Sequence, residues 1–137
     1  MNWEIVVGTW TEMVMSRRRV RALVIEDNRD AAQSLCMLLD QIGCEADIAY
    51  SGTEGIDAAL AKPPDIVFCD IGLPGLDGYA VARRLRAEEW GSRVTLVAVT
   101  GYGREEDRRR AEGAGFDMHF VKPADPAVIM RLFKDIR

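Results

Sequence analysis

The sequence predicts a doubly wound α/β domain in which five parallel strands alternate with five helices. Three observations support this fold class. Short apolar runs recur along the chain and end at a polar or charged residue. Between them lie stretches with helical spacing of apolar residues, and glycine or proline separates the two kinds of segment. Because strand-helix-strand units favour parallel pairing with right-handed crossovers, this alternation predicts one parallel sheet with helices on both faces.

The third apolar run organises the domain, since it reads as a buried core strand. Pro63 and Pro64 precede it, Asp70 ends it, and a turn rich in glycine and proline follows. In open parallel sheets, ligands bind at the edge formed by the carboxyl ends of the strands. Strands are predicted over residues 20–25, 44–50, 65–70, 93–99 and 119–121.

The helices are predicted from apolar residues spaced three and four apart. The second helix carries the apolar residues Ile56, Ala59 and Leu60, and the third is expected to place Arg86 on its exposed face. The fourth is charged nearly all round, and Gly113 and Gly115 are expected to end it. Helices are predicted over residues 30–42 and 53–61, from Tyr79, over 104–112, and from Asp125 or Pro126.

The length of 137 residues fits one domain, predicted over 20–137 and preceded by an extension over 1–19. Residues 1–16 mix apolar and polar residues without a clear period. They fit a disordered or loosely docked extension, a short partner-binding segment, or a stretch upstream of a natural start at Met13 or Met15. The first and third interpretations are favoured.

Composition excludes several classes of function. A net charge of -4 disfavours direct binding of nucleic acid. No apolar run is long enough to span a bilayer, and the first residues lack the basic region of a signal peptide, so we expect a cytoplasmic protein without membrane insertion. Cys36, Cys44 and Cys69 lack metal-ligand spacing and are expected to be small buried residues, not disulfides or zinc ligands.

Five polar side chains are expected at one edge of the sheet, because each ends or directly follows a strand. Three carboxylates that meet there repel one another, and a hard divalent cation such as Mg²⁺ relieves that repulsion. No phosphate-binding glycine loop follows the first strand, so a bound nucleotide has no support. A carboxylate beside a metal, a hydroxyl and an ammonium is instead suited to attack a phosphoryl group. The five residues are Glu26, Asp27, Asp70, Thr100 and Lys122.

The chain resembles the CheY-like receiver domains of two-component response regulators. Four motifs carry the resemblance, in the family's order: Val24-Ile25-Glu26-Asp27-Asn28, the run from Phe68 to Gly78 that contains Asp70, the run from Val97 to Tyr102 that contains Thr100, and Phe120-Val121-Lys122-Pro123. The resemblance covers residues 20–137 and implies a flavodoxin-like fold with strand order 2-1-3-4-5.

The resemblance implies that Asp70 accepts a phosphoryl group from a phosphohistidine. Glu26 and Asp27 would bind Mg²⁺ together with Asp70 and the backbone carbonyl of Gly72. It also implies that Gly72 and Tyr102 occupy positions that influence the lifetime of the phosphorylated state. The family often has Asp where this chain has Glu26, so metal binding is expected to persist with altered affinity.

The resemblance also implies roles for residues of the last two strands. Thr100 would hold a phosphoryl oxygen and move inward on activation, while Lys122 would pair with the phosphoryl charge. A cis bond is expected before Pro123. The family's aromatic switch position falls on His119, for which a switch role and a structural role stay open. Since His119 is the only histidine, the phosphohistidine donor must be another protein or domain.

These inferences predict a stand-alone receiver whose phosphorylation depends on Mg²⁺ and which has no turnover substrate. Its donor would be a histidine kinase or a histidine phosphotransfer protein. Its output would be either a downstream protein partner, contacted through the face formed by the fourth helix, fifth strand and fifth helix, or onward transfer of the phosphoryl group. Either a monomer or a phosphorylation-dependent dimer is expected. One alternative, an aspartate-nucleophile phosphohydrolase, usually needs a second Asp where this chain has Gly72. The other is a receiver-like interaction module that is never phosphorylated.

Overall fold

The computed structural model describes residues 19–101, 103–123 and 125–136. Tyr102, and all of the predicted 1–19 extension except Arg19, lie outside the described residues. Strands and helices alternate as predicted. They are β1 (Arg21–Ile25), α1 (Arg29–Gln41), β2 (Glu45–Ala49), α2 (Gly52–Ala61), β3 (Ile66–Asp70), α3 (Gly78–Arg86), β4 (Thr95–Thr100), α4 (Glu105–Ala114), β5 (Met118–Val121) and α5 (Pro126–Ile136).

The strands form one parallel sheet in the order β2-β1-β3-β4-β5, which confirms the predicted topology. β3 lies at the centre, and Ile66, Val67, Phe68 and Cys69 are all buried. A strand covered on both faces reads as a continuous apolar run, and this is the pattern of β3. Asp70 follows at its carboxyl end, opposite Val99 of β4.

Two layers of core cover the sheet, one on each face. On one face α2, α3 and α4 pack against inward residues of β1, β3 and β4, such as Ile25, Val67 and Leu96. On the other face α1 and α5 pack against alternate residues of the same strands, such as Val24 and Phe68. Right-handed crossovers of a parallel sheet produce this division, which leaves the carboxyl edge to the loops.

Three local predictions were wrong, and one apolar residue of α2 is more exposed than its helical spacing indicates. Leu60 is 38% exposed, because α2 buries Gly52, Gly55 and Ala59 and the next residue faces away from that stripe. Gly113 does not end α4; the helix continues to Ala114, and Gly115, with φ of 111°, provides the left-handed cap.

The other two errors concern Arg86 and Cys36. Arg86 is not a solvated residue, since its guanidinium donates hydrogen bonds to the carbonyls of Gly91, Val94 and Gly115. Cys36 is only partly buried, whereas Cys44 and Cys69 are buried. All three thiols are free, as predicted.

Candidate functional site

Four of the predicted site residues stand at the ends of adjacent strands. Asp70 is the last residue of β3, and Thr100 is the last residue of β4. Glu26 follows β1 directly and Lys122 follows β5. Thr100 is buried, and its backbone carbonyl accepts a hydrogen bond of 2.7 Å from the Lys122 amide. The parallel sheet therefore brings these residues to one edge, as the sequence predicts.

Glu26, Asp27 and Asp70 form an acidic cluster. Each offers a carboxylate oxygen, and these oxygens lie within 4.8 Å of one another. The Glu26 side chain is 7% exposed and that of Asp70 is 13% exposed. Oxygen donors at this spacing, two of them largely removed from solvent, are the ligand set that a hard divalent cation prefers. The residues present therefore fit Mg²⁺, with Asp27 on the solvent side.

Lys122 balances part of this negative charge. Its ammonium donates hydrogen bonds to Glu26 and, over 3.1 Å, to Oδ2 of Asp70. Burial by itself would lower the pKa of the Lys122 ammonium, but the two carboxylate partners outweigh it and the pKa is raised. Lys122 is therefore firmly cationic beside the candidate nucleophile.

Burial shifts the pKa of Glu26 in the opposite direction to that of Lys122. Loss of solvent raises the pKa of its carboxyl above the ordinary value, although the hydrogen bond from Lys122 lowers it. The neighbouring carboxylate of Asp70 raises it further. Charge crowding at this edge thus favours binding of a cation.

Local hydrogen bonds orient the acidic side chains. Oδ1 of Asp70 accepts a hydrogen bond of 2.8 Å from the Gly72 amide, so the loop after β3 holds the carboxylate. Oε2 of Glu26 accepts a 3.2 Å bond from the Asn28 amide. The Asn28 side chain in turn caps α1 through the amide of Ala31.

The sequence identified Gly78 only as part of a turn, yet the site depends on its lack of a side chain. A Cβ atom at this position would lie 2.5 Å from the Asp70 carbonyl oxygen and 2.6 Å from the Ile71 Cα atom. α3 therefore begins against the backbone that carries Asp70. The Asp77 side chain caps this helix by accepting a bond from the Ala80 amide. The signal was present in the Asp-Gly pair, which combines a helix cap with close backbone approach.

His119 is not brought to the acidic cluster. It lies on β5 opposite Ala98 of β4 and faces α4, on the side of the sheet covered by α2 and α3. The peptide bond between Lys122 and Pro123 is cis, as expected. The role expected for Tyr102 falls outside the described residues.

An apolar cavity of about 500 Å³ opens beside the acidic cluster. Glu26, Asp70 and Lys122 contribute polar atoms to its lining, and the apolar part comes from the half-buried Leu35 and Leu38 of α1, from Phe68 of β3 and from Pro123. Apolar surface next to a few convergent polar groups is typical of binding sites. In the part of the chain that the structure describes, no helix has the length and apolar character needed to cross a membrane.

Known proteins of similar sequence include short and long chains. Protein PilH of Pseudomonas aeruginosa is 27% identical over 111 residues, which cover 81% of this chain and 92% of PilH. The hybrid signal transduction histidine kinase L of Dictyostelium discoideum is 32% identical over 120 residues, which cover 83% of this chain but 7% of the kinase. The chain thus spans nearly all of one relative and a small part of the other.

Solved structures that resemble this chain include receiver domains. A CheY-like response regulator receiver domain from Methylobacillus flagellatus has a TM-score of 0.76 and 32% identity, with coverage of 87% of this chain and 99% of that one. The receiver domain of a sensor histidine kinase from Pseudomonas aeruginosa, solved with a magnesium ion coordinated in its active-site cleft, has a TM-score of 0.79 and 28% identity. That match covers 85% of this chain and 96% of the other.

The family's sequence model extends over nearly all of the described domain. Residues 22–134 match the response regulator receiver domain. These are the residues that form the sheet, its helices and the acidic edge. The chain therefore belongs to the response regulator receiver domain family of two-component signalling.

Proposed function

We propose that residues 20–137 form a receiver that accepts a phosphoryl group on Asp70, in a Mg²⁺-dependent reaction, from a histidine kinase or a histidine phosphotransfer protein. The observation that carries this proposal is the position of Asp70, which lies in contact with Lys122 and within the acidic cluster. An aspartate there is oriented, largely desolvated and flanked by groups that stabilise a phosphoryl anion.

In the proposed reaction, an Asp70 carboxylate oxygen forms a bond to the phosphorus of a phosphohistidine. The phosphorus–nitrogen bond of the donor breaks, and its electron pair stays on the imidazole nitrogen. A divalent cation held by Glu26, Asp27, Asp70 and the Gly72 carbonyl supplies positive charge to the phosphoryl oxygens when it is bound. The Lys122 ammonium neutralises further negative charge on the phosphoryl group, and the Thr100 hydroxyl donates a hydrogen bond to a phosphoryl oxygen. Catalysis of this kind depends on positioning and electrostatics.

The donor is proposed to dock beside the apolar cavity between α1 and Pro123. This surface adjoins Asp70, and Leu35 and Leu38 of α1 line it. The imidazole must come from outside these residues, because the chain's single histidine lies on β5 and faces α4. A donor helix that carries phosphohistidine would meet both the apolar wall and the carboxylate.

The output is proposed to be a conformational change on the face made by α4, β5 and α5, which a downstream protein partner reads. Lys122 and Thr100 are joined by a backbone hydrogen bond at the end of β4 and β5. A phosphoryl group that draws both residues toward Asp70 would therefore shift the end of β5. A cytoplasmic location, a separate extension over 1–19 and a monomer or phosphorylation-dependent dimer complete the proposal.

One observation favours a second candidate, an interaction module that is not phosphorylated. Lys122 already pairs with Glu26 and Asp70, so the acidic cluster is partly neutralised without a metal ion. The cluster holds three carboxylates, however, and Lys122 contacts only Glu26 and Asp70, so the remaining negative charge favours the metal-binding receiver.

Beryllofluoride, a stable mimic of the phosphoryl group, tests the proposal. In NMR spectra, we expect the amide signals of Gly72 and Thr100 to shift when beryllofluoride is added with Mg²⁺. Omission of Mg²⁺, or the Asp70→Asn substitution, should abolish the shift. Binding of Mg²⁺ without any response to beryllofluoride would favour the interaction module.

A further inference from the structure

His119 occupies an unusual position for an ionisable side chain. It lies on β5 beside a groove of about 520 Å³ between this strand and α4. Both ring nitrogens are buried, and neither has a hydrogen-bond partner among the described residues. A neutral imidazole leaves one donor and one acceptor unsatisfied there, whereas an imidazolium would leave two donors and a charge. The buried position therefore favours the neutral ring.

The charged groups around His119 come mainly from α4. Glu105, Arg108 and Glu112 line the groove, and Asp117 joins them from the residue before β5. On the strand side, Ala98 lies opposite His119 in register and carries no charge.

Burial sets the direction of the His119 pKa. It lowers the pKa below the ordinary value of 6.5, and Arg108 lowers it further. Asp107 acts in the opposite direction but does not reverse the shift.

His119 is also connected to the candidate phosphorylation site. Thr100 pairs with Val121 across β4 and β5, two residues beyond His119. The carbonyl of Thr100 accepts a 2.7 Å hydrogen bond from the Lys122 amide. Movement of Thr100 and Lys122 toward Asp70 would therefore move the strand that carries His119.

We propose that His119 is a proton-sensitive latch. The neutral imidazole stays in the groove between α4 and β5, whereas the protonated imidazole leaves it. Proton uptake therefore opposes the conformational change that phosphorylation of Asp70 drives. This inference rests on the proposed function. Thr100 and His119 point to the same face of the sheet, because His119 pairs with Ala98 and Val121 pairs with Thr100, two residues along each strand. Inward movement of Thr100 would therefore leave space on that face that the neutral ring can fill. Since coupling between two sites is reciprocal, a phosphoryl mimic that favours the buried ring must also make His119 harder to protonate.

The single histidine makes the test direct, because untagged protein gives one imidazole Cε1–Hε1 signal in NMR spectra. The signal is titrated with pH in saturating Mg²⁺, without and with beryllofluoride. The latch predicts a midpoint below 6.5 with Mg²⁺ alone and a lower midpoint with beryllofluoride. A midpoint at or above 6.5 with Mg²⁺ alone, or one that beryllofluoride leaves unchanged, would overturn the latch.

A reciprocal measurement uses the affinity for beryllofluoride. In the native chain we expect binding to weaken by about threefold or more between about pH 7.5 and about pH 5.5, the range in which histidine titrates. His119→Phe keeps a ring of similar shape without a titrating nitrogen, so the part of the pH dependence that is due to His119 should disappear. Equal pH dependence in both proteins would contradict the latch. Failure of beryllofluoride to bind at any pH would remove the proposed function and the latch together, whereas binding with an unmoved His119 signal would remove the latch alone.

Discussion

Lys122 shows at the scale of single residues how this site is built. It lies 96 residues from Glu26 and 52 from Asp70 in the sequence, yet its ammonium contacts both carboxylates. The sequence predicts that all three share an edge, because each ends or follows a strand. It does not predict that Lys122 pairs with Glu26 and Asp70, since side-chain pairing depends on the packed loops. The roles of the site residues in phosphoryl transfer stay predictions.

Removal of the Lys122 ammonium should expose the repulsion within the acidic cluster. We expect Lys122→Met to lower the free energy of unfolding by about 1–3 kcal/mol in EDTA, because two largely buried carboxylates lose their charged partner. Addition of Mg²⁺ should recover much of this loss, because the cation binds the folded cluster. Urea denaturation with EDTA and with Mg²⁺ measures both effects.

Lys62→Met is the matched control for this experiment. Lys62 forms a 3.3 Å ion pair with Glu45, but both side chains are about half exposed. An exposed pair of this kind contributes little, so we expect a change below about 1 kcal/mol that does not depend on Mg²⁺. Equal losses of unfolding free energy in Lys122→Met and Lys62→Met would show that carboxylate repulsion does not destabilise the acidic cluster.

At the scale of elements, the helix–strand alternation was predictable because periodicity and turn residues report it directly. The errors arose where tertiary contacts decide the outcome. Arg86 follows the exposed face of α3 in a helical projection, but it reaches three carbonyls and, over 2.7 Å, the carboxylate of Asp117. Oδ2 of Asp117 also accepts a 2.8 Å bond from the Leu96 amide of β4. No local pattern in the sequence reports such a network.

The Arg86 network should stabilise the edge of the sheet remote from the acidic cluster. We expect Arg86→Met to lower the free energy of unfolding by about 2–3 kcal/mol, because several partly buried acceptors lose their donor. Arg84→Met is the control, since among the described residues Arg84 forms an ion pair with Glu88, four residues on and just beyond the end of α3, and its loss should cost about 0.5 kcal/mol. A cost for Arg86→Met no larger than that of the control, in thermal or urea unfolding, would contradict this account.

The start of α3 links element packing to the candidate site. Gly78→Ala would place a methyl group 2.5 Å from the Asp70 carbonyl oxygen, so the helix or the β3 backbone must move. We expect a destabilisation of about 1–3 kcal/mol and weaker binding of Mg²⁺, measured by urea unfolding and calorimetry. Gly101→Ala is the control, because a Cβ there has no neighbour within 4 Å among the described residues. Unaltered Mg²⁺ binding in Gly78→Ala would show that the site tolerates displacement of this loop.

At the scale of the whole molecule, the fold class and the carboxyl edge followed from the sequence, because five strands separated by helices leave few arrangements. The strand order came from the family resemblance, and the structure confirms it. The two-layered core explains why one edge gathers polar residues, since helices cover both faces and the strand ends meet only loops. The groove of His119 and the cavity beside Asp70 depend on how whole helices sit on the sheet, and the sequence indicates neither.

The measurement that tests the central claim most directly is the intact mass of the chain after incubation with Mg²⁺ and acetyl phosphate. We predict that the native protein gains one phosphoryl group and that Asp70→Asn, which retains the shape of the side chain but is a poor nucleophile, gains none. EDTA should suppress the adduct, because the acidic cluster then lacks its cation. A phosphoryl group on Asp70→Asn at the native level, or no adduct on a native chain that binds Mg²⁺ but not beryllofluoride, would contradict the assignment of Asp70 as the phosphoryl acceptor.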